Sequence, residues 1–353
     1  MQIAILNDTH AGVRNSSDIF TANADLFYNE VFFPYLKDHG IKRIIHLGDV
    51  FDNRKVINFK SLHGYRKSFL DNLRKYHIHM DVIPGNHDVF YKNTNDLNAL
   101  KELLGHYMGE VTIHMDPTVL DLNGFKLALL PWVNEENYDR SVEFIGKCKA
   151  DWLGGHLELE GFEVLKGVES HHGMDHKIFS RFEKVLSGHF HTASEKDNIK
   201  YLGSQLEFTW SDAHDPKQFH ILDTTTRELT PVRNPHTLFE RIHYDDSRTD
   251  YNNFSVDHLD GKFVKVVVIN KNDLFTFDRF IDRIQTREIH DLKIAENFSE
   301  FLGENVEDEK VSLEETTELL DSYVDAVDTE LDKDKLKVSM RNLLIEAQAL
   351  EIA

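Results

Sequence analysis

Five short polar stretches of this chain hold carboxylate, amide and imidazole groups at spacings that could gather divalent cations. They are Asp8-Thr9-His10, Gly48-Asp49-Val50-Phe51-Asp52, Gly85-Asn86-His87-Asp88, Gly155-His156 and Gly188-His189-Phe190-His191. Each follows an apolar run, and the loop leaving a strand is where open α/β sheets place their chemistry. Any one stretch has an ordinary explanation. Asn and Asp are turn formers, and in a chain with 21 histidines most imidazoles are simply solvated. Five in series are hard to attribute to chance. Oxygen and nitrogen donors without thiolates suit Mn²⁺, Fe²⁺ or Zn²⁺ and argue against a structural zinc site built on cysteine. Two ions a few Å apart need a bridging carboxylate, and Asp49 lies between the other donor sets in sequence. Such a pair can clamp a phosphate and activate a water for in-line attack.

The elements that must position these groups can be read in order. Apolar runs at residues 3–6, 43–47 and 78–83 predict three strands, with helices predicted over 19–36 and 59–76 between them. Strand, polar loop and helix in alternation imply βαβ units and a largely parallel sheet. After a helix near 97–104 the texture changes. Asn123-Gly124 between apolar runs at 119–122 and 125–130 is a hairpin signal. A helix near 138–147 leads to a strand ending at His156, and residues 184–187 form another that runs into His189 and His191. Short strands are expected around Tyr201, Phe208, Leu229 and over 219–222. The expected architecture is α/β, a two-sheet sandwich flanked by helices. Pro231 and Pro235 mark a domain boundary, which gives a first domain over 1–233. A small α+β domain follows over 234–298, with strands near 239–244, 263–269 and 289–294 and a helix near 274–284. An acidic linker (299–311) precedes a helical segment (312–353) with two amphipathic stripes. Stripes of that kind need a surface to cover them, and the linker gives them the reach to dock on a partner rather than fold back.

Composition narrows the function classes. With 353 residues, 41% of them hydrophobic, the chain has material for a large core. No run approaches the roughly 18 apolar residues of a membrane span, and Met1-Gln2-Ile3 enters a strand with no signal peptide to remove. A single cysteine, Cys148, excludes an internal disulfide and fits a reducing, cytoplasmic setting. The formal net charge is −21. Residues 296–353 hold 17 acidic and 5 basic side chains, which leaves −9 for the rest. Nucleic-acid binders usually carry a basic face, but bound cations would reverse the local field and a basic partner could contribute phosphate contacts.

The order of the five motifs resembles that of the calcineurin-like metallophosphoesterases. The Ala11-Gly12 and Leu202-Gly203-Ser204 contexts resemble the SbcD-type DNA repair nuclease branch, and within it the recombination endonuclease subunits of T-even-like bacteriophages. The resemblance implies that Asp8, His10, Asp49 and His191 hold one metal, and that Asp49, Asn86, His156 and His189 hold the second. His87 would stand beside the scissile phosphate, and Asp52 would hydrogen-bond it and fix its ring; some members carry a histidine where Asp52 stands. The implied activity is Mn²⁺-dependent cleavage of DNA, with Mg²⁺, Fe²⁺ or Zn²⁺ as alternative ions. The implied partners are a coiled-coil ATPase of the SbcC type, bound through residues 312–350, and a second copy of the chain in a homodimer.

Two rival readings use the same residues. One is a phosphatase or cyclic-nucleotide phosphodiesterase on the same scaffold, which the small domain and the tail count against. The other is a scaffold whose metals are structural, which an intact His87 counts against. Three further features have a functional reading beside a blander one: Arg54 could touch a phosphate but reads more simply as a solvated loop residue, His171-His172 could be extra ligands but are explained by a polar loop beside Gly173, and Trp132 could stack on a DNA end but reads first as a part-buried structural tryptophan.

Overall fold

The computed structural model describes residues 1–165, 168–170 and 172–295, with a few helical residues beyond. Two compact units divide the chain, Met1–Phe301 and Leu302–Ala353. The predicted linker and all but a few residues of the two-stripe helical segment lie outside the described residues, as does His171.

The described residues form seventeen strands, numbered in chain order, of which β8 (Glu163–Leu165) and β9 (Val168–Glu169) pair only with each other. β1 (Gln2–Leu6), β2 (Arg43–His46), β3 (His79–Val82) and β4 (Val111–Ile113) pair in parallel. Against the free side of β1 lies β13 (Gln218–Asp223), and against that β14 (Glu228–Arg233), both antiparallel. The second sheet is built on β6 (Phe125–Leu130), β7 (Trp152–His156) and β10 (Lys184–Gly188), which are parallel. Its edges are β5 (Thr118–Leu122) on one side and β11 (Ser194–Lys196) with β12 (Ile199–Tyr201) on the other.

The two sheets pack face to face. Ile3 and Ile5 of β1, Leu127 and Leu129 of β6, and Trp152 and Leu186 share one buried cluster. Alternate residues point the other way, as a pleat requires. Ala4 and Leu6 join the cluster beneath the helices of the first sheet, and Ala128 and Leu130 the cluster outside the second. Burial on both faces explains why these strands read as unbroken apolar runs.

The helix predicted over 19–36 runs as Asp18–Leu26, a wider turn at Phe27–Phe32, and Phe33–Asp38. The one predicted over 59–76 repeats the device as Phe59–Tyr65, Arg66–Leu70 and Asp71–Tyr76. The wide turns hold aromatic rings against one another: Phe69 lies 5.1 Å from Tyr28, 5.5 Å from Phe33 and 5.2 Å from Tyr65, ring centre to ring centre.

Two expectations need correction. Phe208 lies on no strand. The chain from Leu202 to Thr209 is a buried loop whose polar groups bond to the site loops instead of to a ladder, with Ser204 N–H donating to the His191 carbonyl and Gln205 Nε2 to the Asp8 carbonyl. Pro231, read as a boundary signal, sits inside β14, an edge strand where a missing N–H is tolerated.

A parallel three-stranded sheet follows, from β15 (Phe239–Asp245), β16 (Phe263–Asn270) and β17 (Asp291–Ala295). The helix Leu274–Gln285 covers it with Phe277, Phe280 and Ile284 in a cluster with Tyr244 and Val266. The buried Glu207 carboxylate accepts the N–H groups of Leu238 and Phe239 and ties this sheet to the sandwich. No helix of the described residues is long and apolar enough to cross a membrane.

Phe69 is fully buried among four aromatic rings. Phe69→Ala is expected to cost about 3–5 kcal/mol, read as a lower urea midpoint with an unchanged slope.

Candidate metal centre

The carboxyl ends of five strands converge on one place. β1 delivers Asp8 and His10, β2 Asp49 and Asp52, β3 Asn86 and His87, β7 His156, and β10 His189 and His191. The loops after β1 and β2 continue their ladder into the site, with Asp8 N–H on the Gly48 carbonyl at 2.9 Å and His10 N–H on the Asp49 carbonyl at 3.1 Å. All nine residues singled out by the sequence meet here.

In one group, His10 Nε2 faces His191 Nε2 at 3.1 Å, and Asp8 Oδ1 stands 3.8 Å from the first and 3.9 Å from the second. In another, Asn86 Oδ1 is 2.9 Å from His156 Nε2 and 3.0 Å from His189 Nδ1. Asp49 Oδ2 reaches both groups, 3.8 Å from His10 Nε2 and 3.2 Å from His156 Nε2. The His156 ring has its tautomer set from behind. Nδ1 donates to the Leu47 carbonyl at 2.7 Å, which leaves Nε2 as the ring atom aimed at Asp49 and Asn86. Asp8, Asp49 and His156 are almost fully buried. Imidazole, amide and carboxylate donors crowded at such distances out of water fit borderline divalent cations.

Asp52 meets His87 through its backbone. His87 Nδ1 lies 2.6 Å from the Asp52 carbonyl oxygen, while the Asp52 carboxylate stands 3.5 Å from His10 Nδ1. The atom of Asp52 against His87 Nδ1 is thus its backbone carbonyl oxygen, and the carboxylate expected there faces His10.

Charge in this pocket follows from burial and proximity. Burial favours the neutral form of Asp49, but the imidazoles of His156, His87 and His10 outweigh it and hold the carboxyl well below its usual range. Burial also opposes a charge on His156; Asp49 overcomes this and pushes the ring up to about 9. His191 goes the other way, lowered by burial and by the neighbouring His10.

Sequence reasoning left Asp88 without a role, and the structure gives it one. Its buried carboxylate accepts the N–H groups of Val50 at 3.0 Å, Phe51 at 3.1 Å and Gly85 at 2.9 Å. That locks the loop after β2 to the loop after β3, so that Asp49 and Asn86 arrive together. Gly85 is required by close approach, since a Cβ there would lie 2.1 Å from Asp49 Oδ1. Gly154, unexplained from sequence, packs against Leu47, where a Cβ would come within 2.9 Å of a methyl carbon.

Backbone strain marks the same residues. Asp8 (φ 48°), His10 (φ 43°), Asp49 (φ 55°) and His189 (φ 85°) all lie in the left-handed region, a concentration typical of functional sites. Lys217 and Asp212 were also missed. Lys217 is buried, with Nζ 2.5 Å from Asp212 Oδ1 and 3.1 Å from the His191 carbonyl, so the pair braces the last motif.

Comparison with known proteins agrees with this geometry. The model of the calcineurin-like phosphoesterase family matches residues 1–193. The chain belongs to the calcineurin-like phosphoesterases. It is a metal-dependent phosphoesterase of that family and is related to nucleases along its length. Exonuclease subunit 1 of Enterobacteria phage T4 is 32% identical over 352 residues, covering 98% of this chain and 99% of that protein. The SbcD component of the nuclease SbcCD of Staphylococcus epidermidis is 29% identical over 140 residues, 31% of this chain and 37% of that one. The same component from Staphylococcus saprophyticus is 27% identical over 95 residues, 25% of each.

The buried pair gives a pH prediction for this phosphoesterase. Burial alone would raise the Asp212 carboxyl, but Lys217 pulls it below its usual value. Burial alone would lower Lys217, but Asp212 and Asp215 raise it. Asp212 therefore stabilises the fold above the ordinary carboxyl range, and this is lost as pH falls through its depressed pKa. Lys217 stabilises it below the ordinary lysine range, and this is lost as pH rises through its elevated pKa. Lys217→Met strands a buried carboxylate and is expected to cost about 3–5 kcal/mol at pH 7. The deficit should shrink near pH 4, where the stranded group can take a proton; chemical denaturation at both pH values checks this.

Proposed function

We propose that the chain is a DNA nuclease that hydrolyses phosphodiester bonds from ends or nicks with two divalent cations, Mn²⁺ foremost. The reading rests on Asp49, whose Oδ2 lies 3.8 Å from His10 Nε2 and 3.2 Å from His156 Nε2, the position of a bridging carboxylate. Asp8, His10, Asp49 and His191 would hold one cation, and Asp49, Asn86, His156 and His189 the other. Bound cations supply neutralisation of the phosphate charge and a more acidic water.

The chain's own groups orient and transfer. His87 backbone N–H donates to Asp49 Oδ1 at 2.8 Å, which turns Oδ2 toward the two donor sets. The Asp52 carbonyl on His87 Nδ1 leaves Nε2 as the atom that hands a proton to the departing oxygen. Relatives named as parts of SbcCD support an SbcC-type coiled-coil ATPase as partner, docked through residues 312–350, with the nuclease acting as a homodimer.

End-labelled linear duplex DNA with Mn²⁺ is the test. His87→Ala is expected to lose about 10²–10⁴-fold in cleavage rate with the metal content of the protein unchanged; retained cleavage would refute the role given to His87. Asp52→Ala keeps the carbonyl that holds His87 but removes the carboxylate facing His10. It is expected to weaken metal binding about 10–100-fold, measured by metal titration. Deleting residues after Glu304 should abolish co-purification with the ATPase.

A further inference from the structure

Beside the metal centre lies an open pocket of about 420 Å³ that the chemistry above does not use. His156, one of the candidate ligands, forms part of its wall. Trp132, Leu157 and Met174 contribute apolar surface, while Glu135, Asp139 and Asp175 bring carboxylates. No lysine or arginine stands among the described residues lining it. The volume is that of a small-molecule site.

Trp132 is held in place with unusual care for a loop residue. Its backbone N–H donates to the Pro84 carbonyl at 2.9 Å. Its own carbonyl accepts from Asn95 Nδ2 and Asn137 Nδ2, both at 2.9 Å, and Asn134 Nδ2 in turn bonds Asn95 Oδ1 at 2.8 Å. Those three asparagines are buried. The network fixes the backbone that carries the indole, and the residue stays part-exposed with its ring 5.4 Å from the His189 ring and 6.0 Å from the His156 ring.

We propose that this pocket receives the base of the terminal nucleotide of a DNA strand, stacked on Trp132, and that its acidic rim makes the site select chain ends. The inference rests on the nuclease reading above. A flat ring beside the centre gives any base a stacking surface. The carboxylates can accept hydrogen bonds from the amino groups of bases. The same carboxylates repel a phosphate, so a strand that continues past the first base meets like charge, whereas a strand that ends there does not. Trp132, read from sequence as a structural residue with stacking on a DNA end as the alternative, becomes the residue that sets where the bond is cut.

The experiment uses the full chain with Mn²⁺ and two linear duplexes, identical except that the terminal residue of the digested strand is either a normal nucleotide or an abasic deoxyribose. Wild type is expected to remove the normal terminus at least about tenfold faster, and Trp132→Ala to lose that ratio. Trp132→Phe, which keeps a stacking ring, should restore most of it. Glu135→Gln with Asp139→Asn should raise nicking of circular single-stranded DNA relative to end digestion. Circular dichroism of each variant reports folding, and the wild-type ratio decides the matter even if Trp132→Ala does not fold. Cleavage of both duplexes at equal rates by wild type would overturn the pocket and leave the nuclease reading standing. Cleavage of neither would overturn both.

Discussion

The geometry of the whole centre depends on one buried carboxylate that touches none of the candidate donor atoms. Asp88 collects three backbone N–H groups from two loops, groups that would otherwise be buried without partners. A carboxylate accepting several N–H bonds binds more strongly than neutral acceptors do. Asp88 is nonetheless under tension, because burial and then the nearby charge of Asp49 raise its pKa to about 6. The N–H cradle holds the charge in place against that pressure. Around this clasp the glycines fall into line, with Gly85 lying flat beneath Asp49 because nothing larger fits.

The sandwich serves the same end. Five parallel strands in two sheets terminate at one edge, and burial on both faces leaves them little freedom to slip in register. A rigid platform with loops at its carboxyl edge can hold donors from distant parts of the sequence, such as His10 and His191, to within 3.1 Å. The aromatic cluster around Phe69 and the clasp of Glu207 on Leu238 and Phe239 carry that rigidity outward to the helices and the small sheet.

Much of this was legible in the sequence, for physical reasons that can be named. Strands buried on both faces announce themselves as apolar runs, so β1, β2, β3, β7 and β10 and the loops after them could be placed. Asn123-Gly124 marked its hairpin in the same way. The candidate donors were visible because Asp, Asn and His recur at strand ends. What was not visible depended on partners far away in sequence. Phe208 looks like a strand residue, yet nearby Gln205 bonds across to residues 197 and 29 positions distant, Asp8 and Asn234. Asp88 and Lys217 read as ordinary charged residues until burial and their partners are known. Trp132 is set apart from a core tryptophan by the asparagines that hold its backbone and by its part-exposed place beside His189. The division of labour at Asp52, backbone to His87 and carboxylate toward His10, is invisible to any motif.

The reversed backbone at Asp8, His10, Asp49 and His189 has a consequence for how this chain can vary. A left-handed φ is accepted by glycine without penalty and by asparagine, aspartate and histidine at modest cost, and poorly by nearly everything else. A cation is served by aspartate, asparagine and histidine and not by glycine. On the proposed ligand set, each of these four positions answers to two separate filters, one acting on the main chain and one on the donor atom, and the residue found there lies in their overlap. Drift at these sites has few exits. A substitution that keeps the donor but not the bend would fail as surely as one that keeps the bend but not the donor.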